Sequence, residues 1–60
     1  METKTVIYEL RTKHGLSQDE LAEKVFVTRQ AVSRWENGET VPNTETLKLL
    51  SNVFDVSINT

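Results

Sequence analysis

The sequence contains no cysteine, a single proline, a single histidine and only two glycines. Without cysteine there are no disulfide staples and no thiolate-ligated metal, the usual props of very small domains. Stability must therefore come from apolar packing or from association with a second copy. The lack of cysteine also fits a reducing compartment. No apolar run approaches the roughly 20 residues that a membrane-spanning helix needs. The opening Met1-Glu2-Thr3-Lys4 lacks the basic and then apolar layout of a secretory signal. A soluble, cytoplasmic protein is expected. The 60 residues suffice for one small domain, and a chain of this size buries only about 60% of its unfolded surface. That leaves little room for an enclosed active site. The sequence shows no nucleophile–base pair, phosphate-binding glycine loop or metal-ligand cluster, so neither enzyme activity nor a cofactor is expected.

The balance of charge is slightly acidic, with seven Lys and Arg against nine Asp and Glu, a net charge of −2. A basic face often marks proteins that bind polyanions, so the position of each cation matters more than the total. There is no internal repeat and no sustained alternation of the kind strands require; the chain reads as short helices joined by turns. The first helix runs from Thr3 to Lys13, with Ile7, Leu10, Arg11 and His14 on one face. Gly15 follows where helices commonly end in a left-handed residue. The second helix starts at Ser17, where Ser17-Gln18-Asp19-Glu20 is a capping box, and runs over Gln18–Val25 with Leu21, Ala22 and Val25 as its buried stripe. The third starts after Thr28, a suitable N-cap, and ends near Asn37-Gly38. Steps of 100° place Ala31, Val32 and Trp35 on its inner side and Arg29, Gln30, Ser33, Arg34 and Asn37 on its outer side. No acidic residue falls in the outer set, and Glu36 lies on the flank. The fourth begins near Asn43 or Thr44, with Leu47, Leu50 and Phe54 as its main stripe, Leu49 and Val53 pointing elsewhere, and Asp55 as its stop. Ser57 reads as the cap of a fifth helix truncated at the C-terminus.

Several residues invite functional readings that plainer ones outweigh. His14 has no cysteine partner and sits near a helix end, so a cap or surface role fits better than metal binding or base catalysis. The phase of Trp35 sends it inward to the core. Asp19, Glu20 and Glu23 form a solvated helix surface and not a catalytic pair. Leu49, Val53, Val56 and Ile58 fit either a homodimer interface or packing beneath the rest of the fifth helix.

Two short helices separated by a tight turn, with small and apolar Ala22 and Val32 at the inner corner, lead to a specific comparison. The stretch Leu16-Ser17-Gln18-Asp19-Glu20-Leu21-Ala22 and the stretch Val27-Thr28-Arg29-Gln30-Ala31-Val32-Ser33-Arg34-Trp35-Glu36-Asn37-Gly38, with Ile7, Leu10, Arg11, Pro42, Leu47 and Leu50 around them, resemble the helix-turn-helix regulators of the Xre type, relatives of the lambdoid phage repressors. The resemblance covers nearly the whole chain. It implies an all-α domain, a compact bundle of about five short helices spanning residues 1–60, with the third helix in the major groove of double-stranded DNA and a homodimer on two half-sites about one helical turn apart.

Carried over by position, the resemblance implies phosphate contacts from Gln18, Thr28 and Asn37, and base contacts from Arg29, Gln30, Ser33 and Arg34. The chemistry suits these roles, since Arg matches the paired acceptors of guanine, Gln matches adenine, and Ser pairs with either. It also implies an ion pair between Arg11 and Glu36 that fixes the orientation of the third helix. This sequence departs from the pattern at Phe26, where such turns often carry Gly, and a bulky residue there must either change the turn or pack outward. The loop Glu39-Thr40-Val41 lacks basic residues, so one domain should bind modestly and dimerisation should supply the rest. The expected function is transcriptional regulation, with repression favoured. Two other readings are an antitoxin that also binds a toxin protein, and a protein-interaction module without DNA binding.

Overall fold

The computed structural model describes residues 3–55, with side chains from residue 5 onward. Among these residues there are four helices and no strand: α1 (Thr3–Lys13), α2 (Gln18–Lys24), α3 (Arg29–Asn37) and α4 (Thr44–Phe54). The fifth helix expected from Ser57, and with it Val56 and Ile58, lies outside the described residues.

Local chemistry sets most boundaries. At α2 the capping box is complete: the Ser17 hydroxyl accepts from the Glu20 N–H at 3.0 Å, and the Ser17 N–H donates to Glu20 Oε1 at 2.8 Å. The bond from the Ser17 N–H, and after it the Ser17 side chain, favours the ionised carboxylate and holds the Glu20 pKa below the ordinary glutamate value. Thr28 caps α3 and Asn43 caps α4, each side-chain oxygen accepting from the N–H three residues on. Asp55 ends α4 in the left-handed region at φ 53°.

Three helices end in the same way. After α1, α2 and α3 the chain places Gly15, Phe26 and Gly38 in the left-handed region, at φ 69°, 60° and 79°. The N–H of each following residue reaches back five positions: Leu16 to Arg11, Val27 to Ala22 and Glu39 to Arg34, at 3.0, 3.0 and 2.9 Å. This is the Schellman arrangement, in which the left-handed slot favours glycine. Phe26 occupies that slot with its side chain outward, 84% exposed, so the turn keeps its geometry and most of the ring faces solvent. The same motif explains why α2 stops at Lys24 and not at Val25. Val25 leaves helical geometry as the cap residue (φ −115°, ψ 15°) to lead into the left-handed step, yet its side chain stays buried.

Ile7, Leu21, Ala22, Val25, Val32, Trp35, Leu50 and Phe54 form the core. The inner stripes read from the sequence are therefore the ones buried, with Leu10, Ala31 and Leu47 packed half-buried around them. Leu49 and Val53, expected to point elsewhere as a second apolar face of α4, are half-buried against this same core. His14 stays exposed, its ring tilted against the buried Phe54 ring at a centroid distance of 5.1 Å. No polar or charged residue is fully buried among the described residues.

Candidate nucleic-acid interface

Helix α3 packs against both α1 and α2. Its inner side, Val32 and Trp35, is sunk in the core. Its outer side carries Arg29, Gln30, Arg34 and Asn37 exposed and Ser33 half-buried. A helix pinned along one side presents the other as a rigid row, and rigidity of the supporting element is what precise recognition needs.

The row is fixed at its end by charge. Arg11 on α1 and Glu36 on α3 meet in a two-point pair, with Arg11 Nε donating to Glu36 Oε2 at 2.6 Å and the Arg11 Nη2 to Oε1 at 3.0 Å. Arg11 Nη1 donates to the Leu16 carbonyl at 2.9 Å. The paired side chains are only 13% and 7% exposed, and an open cleft lined by Thr5, Tyr8, Glu9 and Glu36 lies alongside. The hydrogen bond to Glu36 raises the Arg11 pKa above the ordinary arginine value despite the opposing effect of burial, so the guanidinium stays a cation throughout the working range. Its central carbon also sits 5.4 Å from the centre of the Tyr8 ring, within cation–π range. Since Glu36 is the one acid within α3 itself, this pairing offsets a charge that would otherwise repel a polyanion there.

Gln18 takes part in the same cluster, its Nε2 donating to Glu36 Oε1 at 3.1 Å. One amide hydrogen is thereby committed, which leaves the second hydrogen and the carbonyl oxygen to meet a ligand. The bond links three helices through one carboxylate: α1 by Arg11, α2 by Gln18 and α3 by Glu36 itself. Sequence reasoning missed it, because the helical phases of Gln18 and Glu36 do not reveal how α2 crosses α3. Thr28, expected to hold a phosphate, uses its hydroxyl oxygen to cap α3; its hydroxyl hydrogen is still available to a phosphate oxygen. Asn37 is exposed as the last residue of α3, just before the left-handed Gly38.

A second contact unseen in the sequence joins the two helices at the other end of α3. Asp19 Oδ1 lies 3.7 Å from Arg29 Nε. Neighbouring residues on α2 thus reach opposite ends of α3: Gln18 to Glu36 and Asp19 to Arg29. Arg29 and Glu36 are seven positions apart, nearly two turns or about 10 Å along the axis. The first turn of α2 therefore straddles α3 and touches the flank of the outer row.

Comparison with known proteins agrees with this geometry. A family model described as helix-turn-helix matches residues 7–60. The chain is 44% identical to the HTH-type transcriptional activator BcrR of Enterococcus faecalis over 98% of its own length and 29% of that protein's. It is 39% identical to the antitoxin PezA of Streptococcus pneumoniae over 85% of its own length and 32% of PezA. An uncharacterised HTH-type transcriptional regulator of Archaeoglobus fulgidus is 36% identical over 92% of the chain and 79% of that protein. The chain thus spans under a third of both BcrR and PezA but most of the archaeal regulator. The matched span contains the capping box of α2, the turn at Phe26 and the whole of α3, and on these grounds the chain belongs to the Xre-like helix-turn-helix family.

Proposed function

We propose that the chain binds double-stranded DNA sequence-specifically and regulates transcription, reading the major groove with α3 as a homodimer on a twofold-symmetric operator. The observation that carries this reading is the outer side of α3. Arg29, Gln30, Ser33 and Arg34 share it with no unpaired acid, on a helix locked to α1 and α2. Arg29 and Arg34 suit guanine, Gln30 suits adenine, and Ser33 adapts to either. Gln18, Thr28 and Asn37 flank the row and hold phosphates, which sets register without reading sequence. With few cations in this face, affinity depends on two half-sites bound together. Regulation proceeds by occupancy in the compartment that holds the DNA, with no covalent chemistry. Whether occupancy represses or activates follows from where the operator lies relative to polymerase.

Selection from a random duplex library at low salt tests this, followed by a salt titration of the selected site. The expected result is an enriched palindrome whose affinity falls steeply as salt rises, because each phosphate contact releases counterions. A folded protein that enriches no motif would sink the proposal.

The likeness to an antitoxin supports a second reading, in which the same DNA-reading domain works within a toxin–antitoxin pair. That reading predicts co-purification with a small toxin protein in addition to operator binding. A protein that binds its operator and captures no partner from its own cells would count against it.

A further inference from the structure

Arg29 has a carboxylate beside it: Asp19 Oδ1 lies 3.7 Å from Arg29 Nε, within ion-pair range but beyond a direct hydrogen bond. A guanidinium has two edges able to form paired hydrogen bonds, one made of Nε with a terminal nitrogen and one made of both terminal nitrogens. A carboxylate nearest Nε attracts the first edge and leaves the second without a protein partner among the described residues. That second edge is the one left to bind guanine O6 and N7 end-on. We propose that Asp19 is a positioning residue for base recognition, holding Arg29 by its Nε edge so that its terminal nitrogens read one guanine of the operator. The proposal rests on the reading of α3 as the base-contacting helix.

Stability does not account for the pair. The side chains are 62% and 76% exposed, where an ion pair contributes little. Its cost to DNA binding, by contrast, is direct, because it sets a negative charge at the edge of a surface that must approach phosphates. A free rotor with five donors accepts many partners, whereas one biased toward a carboxylate at Nε more often presents its terminal fork. Asp19 trades non-specific attraction for selectivity, which suits a domain whose net charge is already negative.

The test compares the motifs selected from the random library by the wild-type chain, Asp19→Asn, Asp19→Glu, Arg29→Ala and the double variant Asp19→Asn with Arg29→Ala. Arg29→Ala identifies the base pair that Arg29 reads, as the position whose guanine preference disappears. Asp19→Asn should lower the preference at that position alone by at least about five-fold, the discrimination equivalent to 1 kcal/mol of a paired base contact. It should also raise affinity for unrelated DNA. Asp19→Glu should restore much of the preference, and Asp19→Asn should have no effect on it when Arg29 is already alanine. If Asp19→Asn strengthens every sequence equally and leaves the motif unchanged, Asp19 is only a repelling charge and the proposal fails while the DNA-binding reading stands. A motif indifferent to Arg29→Ala overturns it as well. A wild-type chain that enriches nothing overturns both.

Discussion

Replacing Glu36 with alanine should damage the fold far more than other changes to a charged residue of α3. Glu36 accepts from Arg11 Nε, from the second terminal nitrogen of Arg11 and from Gln18 Nε2, so its loss strands a guanidinium that is only 13% exposed. Removing one partner of a buried ion pair typically costs about 3–5 kcal/mol, because the remaining charge is left uncompensated. Arg11 keeps its bond to the Leu16 carbonyl and has a route to solvent along the adjacent cleft, which places the expected cost near the lower figure. A 60-residue domain has roughly 3–9 kcal/mol of total stability at 0.05–0.15 kcal/mol per residue, so the variant should be at the edge of folding. Thermal unfolding followed by circular dichroism should show Tm falling by about 12–24 °C for a 3 kcal/mol loss, taking 4–8 °C per kcal/mol. The pair Arg11→Met with Glu36→Leu should be far less damaging than Glu36→Ala alone, since it removes both charges and refills the space with apolar atoms. A Tm drop of only a few degrees in Glu36→Ala would refute the argument. So would a double variant as unstable as the two single changes added together.

Three further outcomes follow from the same structure. Phe26→Gly should raise Tm by about 3–6 °C: at mid-range, relief of about 1.5 kcal/mol of left-handed strain outweighs about 0.75 kcal/mol of glycine entropy cost, at 4–8 °C per kcal/mol. An unchanged or lower Tm would mean that the exposed ring makes a stabilising contact. The Glu20 pKa is lower in the folded chain than in the unfolded one, so its contribution is complete above the ordinary glutamate range and is lost as pH falls through the lowered folded value. Melting curves of Glu20→Gln should therefore change less across acidic pH than those of the wild type, and parallel curves would rule out a contribution from Glu20 ionisation. Arg34→Ala and Gln30→Ala should each cost about 1–3 kcal/mol on the selected operator and relax preference at one position, as read by fluorescence anisotropy with matched and mismatched duplexes. Uniform weakening across all sequences would reassign those side chains to phosphate.

Much of this was legible because it is local. Ser17 with Glu20, Thr28, Asn43 and the glycine at 38 each act within four or five residues, so sequence spacing alone places the helix ends. The inner stripes were legible through periodicity, and the outer row of α3 is their complement. Phe26 was legible as a departure, and of the two alternatives the structure takes the second: the turn is kept and the ring points outward. What escaped depends on how helices cross. Gln18 reads as a surface residue in a first turn, and only the crossing of α2 over α3 brings it to Glu36 and brings Asp19 to Arg29. The second apolar face of α4 was legible in Leu49 and Val53, but not that both sit half-buried against the same core.

The division of labour on α3 also bears on how such a protein changes over time. Val32 and Trp35 carry the packing, Thr28 and Gly38 set the ends, and Glu36 sets the orientation, while Arg29, Gln30 and Arg34 are exposed and belong to none of these. Substitutions at those three positions should come at little cost to the fold. On the proposed reading of α3, a duplicated copy of this domain could therefore drift to a new operator in single steps without passing through an unfolded intermediate. Asp19 is the exception: if Arg29 changes, the carboxylate beside it has no guanidinium to hold, and so the two positions should vary together.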